Sequence, residues 1–275
     1  GGSNNFRIPC ITTINYNGKE RIVAAADMRW NHDLDGRAID LIVSYSEDQG
    51  ATWNYTSPLY FNDSVDPQCS DPNQEWVAND ADPKFDYAAT IMDPVMVADN
   101  ENNLYILADL FPGGVAIEGA VPLKPEATTG YENIDGTDRL VLYVSPEPGQ
   151  QDENNYTHYV GDYEDGYAPV YDKTTKEVKY YIDEEFDLFD VNKAPIYCRQ
   201  IGSENNGLYS MVRQNIFYYN ADLHVRCATY LVLVKSTDGG ETWSKPYLIN
   251  NQVSKETSKM FYGTGPGTGM VMGNG

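Results

Sequence analysis

Ser46-Glu47-Asp48-Gln49-Gly50-Ala51-Thr52-Trp53 follows an apolar run, Leu41 to Tyr45, and far downstream Ser236-Thr237-Asp238-Gly239-Gly240-Glu241-Thr242-Trp243 follows another, Tyr230 to Val234. Both copies fit S-x-D-x-G-x-T-W at every defined position. In such an octapeptide the Ser and Asp side chains can bond the backbone of a tight turn, Gly supplies a left-handed φ, and Trp can tuck under the turn into the core. The residues of the motif are thus read as scaffold rather than as catalysts. A strand-and-turn signature that recurs at long range points to a propeller or array.

Working outward from these turns, the chain continues to read as strands. Ile8 to Ile14 and Ile22 to Ala26 are apolar runs separated by Asn17-Gly18, a hairpin signal. Ala88 to Phe111 is strand-like again. Residues 112–222 differ: they are rich in Tyr, Asp, Glu and Asn and hold short alternating runs such as Arg139 to Val144 and Val178 to Ile182. They read as an inserted, mostly β subdomain. The 23 Gly and 15 Pro are scattered and Tyr reaches 22, as suits many short strands joined by turns. Near the end, Gly263, Gly265, Gly267 and Gly269 suggest a crowded start of a strand; no Lys and no helix follow to make a phosphate loop.

The 41 acidic and 19 basic residues give a formal charge of −22, which disfavours nucleic acid and anionic membranes as partners. There is no calcium loop of the D-x-D-x-D-G type, and His32, His158 and His224 lack ligand spacing, so neither a metal nor another cofactor is expected. No apolar stretch has the length of a membrane span. Cys10, Cys69, Cys198 and Cys227 allow three pairings; Cys10, in an apolar run, reads as a buried free thiol.

Phe6-Arg7-Ile8-Pro9, the two Asp-box turns, and the order Ala26-Asp27-x-Arg29, Asp35, Asp box, Met92-Asp93-Pro94 together resemble bacterial exo-α-sialidases with an Asp-box catalytic domain. Gly265 to Gly269 resembles the start of the next blade in that family. The resemblance implies an all-β fold, a six-bladed β-propeller whose first blades are present here. Residues 4–111 would form blade one and the inner strands of blade two, residues 112–222 an insertion in blade two, and residues 223–275 its outer strands and the start of blade three.

By the same resemblance, Arg7 is the first arginine of a three-arginine clamp on the sialate carboxylate, a task suited to a planar, always charged, bidentate group. Asp35, six residues after Arg29, matches the catalytic acid/base; the spacing selects it over Asp33. Arg29 and Asp93 match substrate contacts on the O4 side of the sugar. The family's Tyr/Glu nucleophile pair and its other two clamp arginines match nothing in this chain. They are expected on the C-terminal blades, in the same longer chain or a second polypeptide, and residues 1–275 alone are expected to show no turnover.

The function implied is a retaining exo-α-sialidase acting on sialylated glycans, outside the cell or on its surface. An intramolecular trans-sialidase is an alternative. A non-catalytic sialoglycan-binding propeller is another, which would not need Asp35.

Overall fold

The computed structural model describes residues 5–29, 35, 39–59, 61, 89–113, 115, 129–144, 155–199, 211–218, 221–253 and 263–272. Asp33, His32 and Cys69 lie outside the described residues.

The first four strands are β1 (Asn5–Tyr16), β2 (Lys19–Arg29), β3 (Ile39–Ser46) and β4 (Asn54–Leu59). They form an antiparallel meander. Asn17 and Gly18 both take left-handed backbone angles (φ 53° and 75°), the two-residue turn whose twist matches its flanking strands. Along β2, Arg21, Val23, Ala25 and Asp27 are buried and alternate with more exposed neighbours, so one face is packed.

A second meander begins with β5 (Thr90–Ala98) and β6 (Leu104–Phe111). The chain then leaves for the insertion: β7 (Tyr131–Ile134), β8 (Thr137–Tyr143), β9 (His158–Val160), β10 (Tyr167–Asp172), β11 (Val178–Asp183), β12 (Leu188–Phe189), β13 (Tyr197–Arg199), β14 (Met211–Arg213) and β15 (His224–Val225). It returns as β16 (Tyr230–Ser236), which pairs with β6, and β17 (Tyr247–Leu248), which pairs with β16. After a short helix, α1 (Asn250–Val253), β18 (Gly267–Thr268) lies parallel to β5. All-β, nine-stranded and built of two four-stranded meanders plus β18, this sheet does not close into a ring among the described residues.

One boundary shifts from the sequence reading. β15 pairs with β8 of the inserted sheet, so His224–Val225 belongs to the insertion rather than to the segment that starts at residue 223. Rings tie the two sheets together. Phe217 packs at 5.4 Å from Phe186 of the insertion and at 5.1 Å from Tyr230 of β16, and Phe61 stacks on it at 6.4 Å. Gly130 leaves room for Tyr230: a Cβ there would sit 2.3 Å from the phenol oxygen.

The two octapeptides build the same turn. Ser46 Oγ accepts from the Gly50 amide, and Asp48 accepts from the Thr52 amide and hydroxyl. Ser236, Gly240, Asp238 and Thr242 repeat these bonds. Arg21, 3% exposed, locks the two turns together: it ion-pairs with Glu47 of one and Glu241 of the other and donates to the Gly239 carbonyl. One expectation fails here. Trp53 is 44% exposed: its indole donates to the Gly50 carbonyl and does not pack on the main core. Trp243 makes the same bond but is only partly exposed and packs on the main core. Among the late glycines Gly269 is crowded, with Val97 2.9 Å from where its Cβ would be, whereas a Cβ at Gly265 or Gly267 would meet open space.

Candidate active site

Strands β1 and β5 carry the same irregularity. Each breaks register in front of a proline, between Arg7 and Cys10 in β1 and between Met92 and Val95 in β5. At the break Ile8 (φ 52°) and Asp93 (φ 56°) are left-handed. For Ile, a β-branched residue, that conformation is strained, and such strain gathers at functional sites. A bulge re-aims the neighbouring side chain, and Pro9 and Pro94 have no amide hydrogen to lose from the ladder. Arg7 stands exposed beside its bulge, opposite Asp27.

Asp27 is the hub. It is fully buried, and its Oδ2 accepts from Arg29 Nη2 at 2.9 Å while its Oδ1 accepts from the Asp93 amide at 3.0 Å. Arg29, 1% exposed, turns its other nitrogen, Nη1, to Asp35 Oδ1 at 2.6 Å. Asp35 itself is 58% exposed. Asp93 is half-buried; burial raises its pKa, and the charges of Asp35, Arg29 and Arg7 all act on it. The structure therefore brings Arg7, Arg29, Asp35 and Asp93 together at one end of the sheet.

The matching position in the second meander is Asp109, opposite Met92 as Asp27 is opposite Arg7. It too is fully buried, and it accepts from the Thr264 amide at 2.8 Å. The Thr264 hydroxyl in turn reaches the Asp93 carbonyl. Each buried aspartate thus holds the amide of the next unit, and Asp27, Asp93, Thr264 and Asp109 form one chain of bonds across three units. Burial pushes Asp27 up to about 6, with Arg29 restraining the rise. Phe111 stands where Arg29 would be, and burial pushes Asp109 up to about 8, the charges of Asp93 and Asp27 adding to it. Asp109 Oδ2 has no hydrogen-bond partner.

Sequence reasoning placed Asp27 in a motif without giving it a role, and it passed over Asp109 and Thr264. A signal was there: Ala26-Asp27 and Ala108-Asp109 are the same dipeptide, each following an x-Pro strand. Among the described residues no group of His, Cys, Asp and Glu could hold a metal ion. Cys10 is a buried free thiol, and burial pushes it up to about 11, which makes it a poor nucleophile; Cys227 is buried as well.

No protein-family model matches the chain. Sialidase B of Streptococcus pneumoniae is 24% identical over 286 residues, covering 99% of this chain and 38% of that protein. A crystal structure of the intramolecular trans-sialidase from Ruminococcus gnavus, bound to oseltamivir carboxylate, superimposes with a TM-score of 0.74 at 28% identity, over 100% of this chain and 54% of the other. The leech intramolecular trans-sialidase, complexed with 2,7-anhydro-Neu5Ac, gives 0.72 at 25% identity, over 98% and 38%. The chain therefore spans well under two thirds of each of these relatives.

Proposed function

On the premise that this chain is homologous to the sialidases along nearly all of its length, we propose that it supplies the acid/base half of an exo-α-sialidase that releases terminal sialic acid from glycoconjugates. The observation that carries this reading is the Asp35–Arg29–Asp27 chain lying beside Arg7 and Asp93. A buried carboxylate fixes one face of a buried guanidinium, which leaves its other face for an exposed carboxyl group.

In this reading Arg7 takes the sialate carboxylate as a bidentate partner. Asp35 protonates the departing glycosidic oxygen as the anomeric carbon gains oxocarbenium character, and later takes a proton from the attacking hydroxyl. Arg29 and Asp93 meet the sugar's ring hydroxyls, so entering substrate competes with Asp35 for Arg29. Asp27 positions Arg29 and the Asp93 backbone together. The nucleophile and the rest of the carboxylate clamp are assigned to the part of the relatives that this chain does not span. An extracellular setting fits a glycan substrate.

A second reading has a specific support: the structural relatives at 28% and 25% identity are intramolecular trans-sialidases. There a hydroxyl of the sugar itself would attack the anomeric carbon in place of water. The chain joined to the remaining blades, given a fluorogenic sialoside, tests both. Free sialic acid among the products supports hydrolysis, an anhydro sugar supports internal transfer, and no turnover overturns the proposal.

A further inference from the structure

Between the inserted sheet and the outer strand β17 runs a cleft of about 710 Å³, within the range of small-molecule sites. β17 is the third strand out from β5, the strand of Asp93, which puts the cleft roughly 14 Å or more from the Asp27 hub. We propose that this cleft is a second carbohydrate-binding site, one that takes a neutral oligosaccharide.

Three tyrosines converge there. Tyr131 lies within electrostatic reach of both Tyr247 and Tyr163. Tyr163 and Tyr247 are 45% and 55% exposed, large amounts for aromatic rings. Their hydroxyls are nonetheless anchored: Tyr163 donates to the Asp183 carbonyl at 3.0 Å, and Tyr247 accepts from Gln252 Nε2 at 2.7 Å. Exposed rings fixed at the polar end can serve as platforms for the apolar face of a pyranose. On the same wall Asn251 Oδ1 is buried without a hydrogen-bond partner. A buried acceptor left unpaired is costly, and a sugar hydroxyl is the donor it lacks.

Charge decides the class of sugar. The cations of the lining are already committed, Arg139 to Asp162 at 2.6 and 3.1 Å and Lys245 to Glu185 at 2.5 Å. Asp138 and Glu184 add negative charge to the walls. A sialate would meet repulsion here, whereas a neutral hexose chain meets donors, acceptors and rings. Such a site would raise residence on a glycan surface by holding a second point of it, even if weak by itself.

The test is ligand-observed saturation-transfer NMR on the complete protein with lactose as probe. Native protein and Arg7→Lys should bind lactose alike, while Tyr247→Ala should weaken it about tenfold or more. Tyr247 is mostly exposed, so the variant should keep the native melting temperature; Asn251→Ala, with the same loss expected, is the second probe. Absence of lactose binding by the native protein, retention of binding in both cleft variants, or its loss in Arg7→Lys would each overturn the site. The outcome is independent of sialoside turnover, so the cleft and the proposed activity can fail separately.

Discussion

Arg29 and Phe111 occupy the same place, two residues beyond a buried aspartate, and the difference decides what each aspartate can do. With Arg29 beside it, Asp27 stays ionised at neutral pH and acts as a fixed anion. That rigidity is why Arg29 can face Asp35 at all. Two predictions belong at this scale. Arg7→Lys should raise KM for a sialoside by about tenfold or more with little change in stability, since Lys keeps the charge but loses the bidentate fork and Arg7 is exposed. Steady-state kinetics with a melting curve check it. Asp35→Ala should slow natural sialosides by roughly 10²–10⁴-fold and phenolic ones far less, because a good leaving group needs little protonation. Equal losses on both would remove the acid role. The gathering of Arg7, Arg29, Asp35 and Asp93 could be expected because their spacings sit in recognisable motifs, and the roles given to them are proposals. Asp109 and Thr264 were not, because their meaning lies in a contact between units that are 155 residues apart in sequence.

At the scale of elements, two copies of one motif differ in what they support. The octapeptide pattern sufficed to locate both turns and their hydrogen bonds, since those are local. It did not foretell the depth of the indole, which depends on what packs above each turn. Trp53→Ala should therefore cost at most about 1 kcal/mol, and Trp243→Ala about 2–3 kcal/mol, as partial burial dictates. Urea denaturation of the two variants checks the order; a reversed order would contradict the packing. Arg21 is the stronger element. It sits between the two turns, with Tyr16 and Tyr45 at 4.1 and 4.4 Å from its guanidinium. Arg21→Met should remove about 2 kcal/mol or more, because the Gly239 carbonyl loses a buried charged donor. The strands themselves were read from apolar runs and the Asn17-Gly18 turn. The end of the insertion was misplaced because β15 has only two residues, too few to show an alternating pattern.

For the whole molecule, stability should peak on the acid side of neutrality, and the sign follows from its carboxyl groups. Asp48, Asp99 and Asp172, which accept turn hydrogen bonds, have lowered pKa values, Asp48 about 2. Such groups stabilise the fold above the ordinary carboxylate range, and that contribution is lost as pH falls through their folded values. Burial does the reverse to Asp27, Asp187 and Asp109, raising them to about 6, 7 and 8. In the folded state these hold protons that the unfolded chain has released, so their contribution is complete below about 4 and fades as pH rises through 6 to 8. The charge of −22 acts in the same direction, since self-repulsion grows as the carboxyls ionise. Unfolding free energy should thus be greatest near pH 5 and fall towards pH 8.5. Asp109→Asn isolates the largest of these shifts. Asn keeps an oxygen for the Thr264 amide but cannot ionise, so the variant should lose less stability than the native protein between pH 5 and pH 8.5. Urea unfolding at both pH values measures it. Parallel curves for the two proteins would mean that Asp109 is ionised throughout, and that something other than a bound proton compensates its charge against Asp93 and Asp27.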